Sequence, residues 1–290
     1  MSRPSTTFAV ILTTGAALLA TCAVAAPVRA STAASAPTAI CRSASRPRLA
    51  AWMSRGIQRA IAGRASRIGL TVADPRLGLS CALHRTSHFR AASAIKVTII
   101  SALLYKVGGP GHMTTAQHGL AWRMITESDN AAATRLWDEV GDAGMQRFVS
   151  AARMSHTILD DGAWGLSQLT AQDELTLLTL LTTAGKLLSN TSRGYVLWLM
   201  SKVIPSQRWG VPAGAPADVT VSVKNGWLPD PVTGRWHINS IGAFRSLGAY
   251  RSRHIDYQIA VLTDGNPSES YGIGTIQAAA RVINHDIASA

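Results

Sequence analysis

Ser93-Ala94-Ile95-Lys96-Val97-Thr98-Ile99-Ile100-Ser101-Ala102-Leu103-Leu104-Tyr105-Lys106 is the stretch on which the fold turns. It is mostly apolar along its whole length, which suits a buried helix, and Gly108-Gly109-Pro110 stops it. On its N-terminal side, Leu49, Trp52, Met53, Ile57 and Ile61 recur at helical spacing across Pro47–Ala62. The period then changes. Ile68–Ala73 and Leu77–Leu83 are short apolar runs joined by Asp74-Pro75-Arg76, a hairpin signature. On the C-terminal side, helical patterns follow one another at Thr115–Thr126, Ala131–Val140, Ala143–Met154, Thr170–Leu188 and Thr191–Val203. Val219–Val223, Trp236–Phe244 and Tyr257–Thr263 then read as strands, and Tyr271–Ile287 as a closing helix. Two early and three late strands around a helical block predict an α+β fold with one five-stranded antiparallel sheet assembled from both ends of the chain. The predicted division is a sheet lobe of residues 41–108 with 205–290 and an all-helical lobe of residues 109–204.

With 290 residues, 47% hydrophobic and only 15% charged, the chain can bury a full-sized core and is neither disordered nor collagen-like. The formal charge of +12 raises the question of nucleic acid, but only five of the 28 cations are lysines and the arginines are scattered. No basic block with interleaved aromatics tracks a phosphate backbone, so no nucleic-acid partner is expected. Arg3, the apolar run Phe8–Ala20 and the small-x-small Ala23-Val24-Ala25 form an export signal, so residues 1–30 are expected to be a leader and the start of a linker, and the protein secreted. Threonine before Cys22 fits a lipoprotein box poorly, and no lipid anchor is expected. No later segment is apolar enough to span a bilayer. Outside the cell, Cys41 and Cys81 are more naturally a disulfide than two free thiols. No metal site or cofactor is expected: two cysteines without close spacing do not make one, and His84 and His88 do not share a helix face. A monomer is expected.

Ser93 and Lys96 stand three apart at the start of the long helix, so both side chains fall on one face within a turn. A lysine without its proton activates a serine hydroxyl there, although a helix cap and a surface lysine share the same spacing. Ser128-Asp129-Asn130 follows in a turn between two helical patterns, and Lys224-Asn225-Gly226 ends an apolar strand. Ser-x-x-Lys, Ser-Asp-Asn and Lys-[Thr/Ser]-Gly in that order form the signature of penicillin-recognising serine enzymes, and two of only five lysines sit in it.

Through these motifs the sequence resembles the class A β-lactamase and penicillin-binding-protein superfamily from about Ile57 to Asn284. More narrowly it is similar to exported actinobacterial β-lactamase-like serine hydrolases, through Met124–Ala132, Trp164-Gly165-Leu166, Lys224–Pro229 and Ala260–Pro267. The resemblance implies a five-stranded antiparallel sheet plus a helical lobe with the site between them. It implies Ser93 as the acylated nucleophile and Lys96 as the group that draws off its proton. Ser128 would relay a proton to the leaving nitrogen, and Asn130 would hold the substrate's amide side chain. Lys224 would anchor the substrate carboxylate, Gly226 would keep the strand open, and the N–H groups of Ser93 and Trp227 would form the oxyanion hole.

The chain departs from the pattern twice. Asn225 replaces the usual hydroxyl residue, and its amide is expected to donate to the substrate carboxylate instead. Residues 159–170 carry no glutamate to align a deacylating water, and Asp160 and Asp161 are each a methylene too short for that role. Trp164, Trp198 and Trp209 read as packing residues and His237 as structural, while Arg235 and Arg245 are candidates for extra carboxylate binding. The small-molecule partner is then a β-lactam or a peptidoglycan-derived amide, with slow release of the acyl group. A D,D-peptidase-like cell-wall enzyme and a non-catalytic muropeptide-binding or partner-binding descendant are the alternatives.

Overall fold

The computed structural model describes residues 40–246 and 256–290. The export signal, Cys22 and the tract 31–38 lie outside the described residues. In chain order the elements are β1 (Cys41–Ser43), α1 (Pro47–Ile61), β2 (Arg67–Asp74), β3 (Leu79–Leu83), β4 (Phe89–Arg90), α2 (Lys96–Val107), α3 (Thr115–Thr126), α4 (Asn130–Val140) and α5 (Asp142–Ala151). There follow β5 (Gln168–Leu169), α6 (Ala171–Thr182), α7 (Asn190–Ser201), β6 (Val219–Pro229), β7 (Trp236–Ser246), β8 (Asp256–Asn266) and α8 (Glu269–Ala288). Among the described residues no helix is long and apolar enough to cross a membrane.

The main sheet is antiparallel with strand order β1-β3-β2-β8-β7-β6. It therefore has six strands where the sequence predicted five. The extra one, β1, is three residues long and too short to show a period of two. It is placed by pairing with β3, where Cys41 stands directly opposite Cys81 with Cα atoms 3.9 Å apart and the two are joined by a disulfide. The predicted β2–β3 turn forms, with the Asp74 carboxylate accepting from Leu77 N–H at 3.0 Å and Gly78 taking the left-handed conformation.

Both faces of the sheet are covered, which is why its strands read as continuous apolar runs rather than alternating ones. On one face Tyr257 donates to Asn284 of α8 at 2.7 Å, and on the other Thr71 donates to the Ala171 carbonyl of α6 at 2.8 Å. Helix α2 is buried without interruption from Lys96 to Leu104 and packs on α4, α5 and α7. Helix α6 ends at Thr182 rather than running to Leu188, because Thr183 turns extended.

Two local departures from the predicted elements shape the site. The Ser93 end of the long helix is a 3₁₀ turn, Ala92–Ile95, before α2 begins at Lys96. Strand β6 continues past Val223 to Pro229, so Lys224-Asn225-Gly226-Trp227 lies inside a strand and obeys its alternation.

Candidate active site

Ser93 sits half-buried in the 3₁₀ turn, and three residues per turn bring Lys96 directly beneath it. The turn is entered under strain. Ala92 has φ of 45°, a left-handed conformation that costs a residue with a Cβ about 1 kcal/mol or more. Three contacts hold it there. Ala91 N–H donates to the Ser167 carbonyl at 2.7 Å, and the Asn239 amide donates to the carbonyls of Arg90 and Ala91 at 2.8 and 3.0 Å. On β6, Gly226 comes so close that a Cβ there would lie 2.8 to 2.9 Å from Ala94 N, Ala91 O and Ser93 N. The glycine is thus required by the approach of the edge strand to the Ser93 turn.

Ser128 lies between α3 and α4 in the left-handed conformation, φ 62°, with Asp129 capping α4 through Ala132 N–H. Its hydroxyl is placed between two lysine nitrogens, Lys96 Nζ at 3.2 Å and Lys224 Nζ at 3.0 Å. Lys96 Nζ also reaches the Ser128 carbonyl and Asn130 Oδ1, both at 2.7 Å, and Lys224 Nζ the Asn225 carbonyl at 3.1 Å. Both lysines are fully buried. Burial lowers the Lys96 pKa to about 7, a nearby Asp129 opposing it, and holds Lys224 well below the usual lysine range with the charge of Lys96 adding to the effect. Among the described residues neither amine has a carboxylate partner. Trp164 lays its indole over Lys96, ring centroid 4.9 Å from Nζ, and donates from Nε1 to Thr134 at 3.1 Å.

The three motifs, far apart in sequence, thus meet at one point. Ser93 Oγ itself has no hydrogen-bond partner among the described residues; its link to Lys96 is the shared face of one turn. Asn225 is where the sequence expectation fails. Strand alternation turns its side chain away from the face of Lys224 and Gly226, and its amide hydrogens go to the carbonyls of Gln207 and Trp209 at 2.8 and 2.9 Å, so neither is left for a substrate carboxylate. Arg235 and Arg245 are also committed, to the Gly265 carbonyl at 2.8 Å and to Asp256 at 3.4 Å. His237 lies against Asp230 at 3.6 Å, and Trp209 packs on Trp227 with centroids 5.9 Å apart. Asp160 accepts from Ala163 N–H and faces a cavity of about 370 Å³ with Arg67, Arg90, Gln168, His237 and Asp264. Asn239 and Ser167, which position the Ser93 turn, carry no local motif, and the sequence alone gives no signal for them.

A class A β-lactamase from Bacteroides cellulosilyticus has the same fold, with TM-score 0.70, 17% identity and coverage of 82% of this chain and 98% of that one. A β-lactamase from Streptosporangium roseum matches with TM-score 0.67, 19% identity and coverage of 81% and 98%. PBP-A matches with TM-score 0.70, 19% identity and coverage of 82% and 96%. No curated protein matches the chain by sequence. The model of the β-lactamase enzyme family matches residues 105–287, a segment holding Ser128-Asp129-Asn130 and Lys224-Asn225-Gly226, and the chain belongs to that family.

Proposed function

We propose that the protein is an exported serine hydrolase that opens β-lactams or related cell-wall amides by forming an acyl-enzyme on Ser93, and that it releases the acyl group slowly. The observation that carries this is the Ser128 hydroxyl held between the amines of Lys224 and of Lys96, the residue one turn after Ser93. With a pKa of about 7, Lys96 is neutral in a large fraction of molecules at physiological pH and takes the Ser93 proton as Oγ attacks the carbonyl carbon. Hydrogen bonds to a nucleophile commonly tighten only when substrate arrives, so the unpartnered Ser93 hydroxyl is compatible with this role. The proton passes through Ser128 to the leaving nitrogen. Lys224 attracts the substrate carboxylate, and Asn130, whose Oδ1 is used by Lys96, offers its amide N–H₂ to the substrate. The backbone N–H groups of Ser93 and Trp227 form the oxyanion hole, each contributing about 3 kcal/mol in comparable acyl transfer. The cleft would lie between the sheet lobe, 41–108 with 205–290, and the helical lobe, 109–204.

Release needs a base that aligns water on the ester carbon, and loop 159–170 offers none: Asp160 is turned to Ala163 N–H. Losing such a base costs about 100- to 10,000-fold. This favours, as a second reading, a D,D-peptidase-like enzyme whose natural acyl group leaves to an amine rather than to water. A solved structure of a single-site mutant of PBP-A, 19% identical to this chain, is an acyl-enzyme complex with penicillin G. The test is covalent labelling by a fluorescent penicillin, with peptide mapping. Labelling confined to Ser93 and lost in Ser93→Ala supports the proposal, and labelling that survives Ser93→Ala refutes it.

A further inference from the structure

Lys96 Nζ lies within hydrogen-bond reach of Ser128 O, Ser128 Oγ and Asn130 Oδ1. The Trp164 indole lies over the same amine, its centroid 4.9 Å away. That ring is fixed from several sides. Its Nε1 donates to Thr134 on α4, and the 3₁₀ turn that carries it, Trp164–Leu166, packs on the turn that carries Ser93. The loop on either side is tied down by Ala163 N–H to Asp160, Leu166 N–H to the Ala163 carbonyl and Ala91 N–H to the Ser167 carbonyl. A loop lacking a carboxylate directed at Lys96 thus presents a flat apolar surface to the amine.

We propose that Trp164 is a positioning residue that caps Lys96, holding the amine on the Ser93–Ser128 side while denying it a water, and so sets the lifetime of the acyl-enzyme. The proposal rests on the acyl-enzyme reading above. Release requires a water oxygen to bond to the ester carbonyl carbon and the bond from that carbon to Ser93 Oγ to break. The proton lost by the water must reach a base and end on Ser93 Oγ. Lys96 shares the turn of Ser93, and the indole occupies space beside its amine that a water would otherwise take. The ring's attraction for a cation also keeps the protonated amine in place between turnovers.

The test compares the mature protein with Trp164→Ala and Trp164→Phe in two measurements. The first uses no β-lactam: acetic anhydride modification of Lys96 is followed by peptide mapping, with Lys186 and Lys202 as internal references. A cap requires Trp164→Ala to react at Lys96 about tenfold faster or more and Trp164→Phe to stay near the parent, because a phenyl ring still covers the amine. Equal rates in all three proteins overturn the proposal whether or not Ser93 is ever acylated. The second follows the lifetime of the fluorescent penicillin adduct, expected to shorten about tenfold or more in Trp164→Ala and little in Trp164→Phe. A lifetime in Trp164→Ala within about twofold of the parent, or a Phe variant that behaves as Ala does, overturns it. A parent that forms no adduct refutes the acyl-enzyme reading alone, and the first measurement still decides the cap. Should Trp164→Ala fail to fold, Thr134→Val, which frees the indole from α4, is read in the same two ways.

Discussion

Two buried lysines share one hydroxyl, and among the described residues neither has a carboxylate in ion-pair contact, so burial favours the neutral amine in both. Ser128 is that hydroxyl, and Lys96, with its pKa brought to about 7 by burial, is the proposed base. The protonated amine cannot accept the Ser93 proton, so acylation should rise with pH through a midpoint near 7 and lose about 100-fold or more in Lys96→Met. Burst-phase kinetics with nitrocefin between pH 5 and 9 check this, and a flat profile contradicts it. A second buried titratable group acts on stability instead. Glu174 on α6 is fully buried with neither carboxylate oxygen hydrogen-bonded among the described residues, and burial, with the Asp173 charge adding, raises its pKa to about 8. The native state therefore keeps a proton that the unfolded chain loses above its ordinary pKa of 4.5, and stability falls as pH rises from about 4.5 to 8. Urea unfolding should show this decline, of at most about 1.4 kcal/mol per pH unit, and Glu174→Gln should remove it. Ser93, Lys96, Ser128 and Lys224 are legible in the sequence because each belongs to a short motif. Asn239 is not, because it acts on Arg90 and Ala91 from a strand far along the chain. Asn225 is open to misreading because only the full length of β6 shows which way it turns.

At the scale of the elements, the edge strand β6 and the Ser93 turn are fitted to each other through one missing side chain. In Gly226→Ala the new methyl would meet three backbone atoms at 2.8 to 2.9 Å, none of which can swing aside. The strand must move away from Ser93. The expected result is a loss of about 100-fold or more in acylation with a modest loss of stability, about 1 to 3 kcal/mol, and a variant that acylates normally would show that the approach is not needed. The disulfide does the equivalent for the other edge of the sheet. It fastens β1 to β3 and closes a sequence separation of 40 residues, for which the loop-entropy estimate is about 4 kcal/mol. Cys41→Ser with Cys81→Ser should lower stability by about 2 to 5 kcal/mol in chemical denaturation, and an unchanged midpoint would contradict it. Most elements can be read from periodicity because they are long: α1, α3 and α4 start and stop within a residue of the predicted bounds. The elements that escape, β1, β4 and β5, have two or three residues each and exist only through their partners.

Across the whole molecule, the sheet is built from the first and last parts of the chain while the helices from α2 to α7 come between, so Ser93, Ser128 and Lys224 meet only once the entire topology has formed. This explains why the order of motifs along the sequence carries so much of the fold. Three short motifs at distant places in one chain have a common reason when a single constellation needs all three. The family match begins at residue 105, after Ser93 and Lys96, and it is the assembled geometry that joins Lys96 to Ser128 and Lys224 and sets the Ser93 turn against Gly226. The measurement that bears most directly on the proposed activity is an intact-mass time course of the mature protein after mixing with a penicillin. A single adduct, located on Ser93, formed quickly and persisting for minutes or longer, is the expected result. No mass increase with any of several penicillins would contradict the acyl-enzyme, and rapid return to the free mass with steady turnover would contradict its slow release.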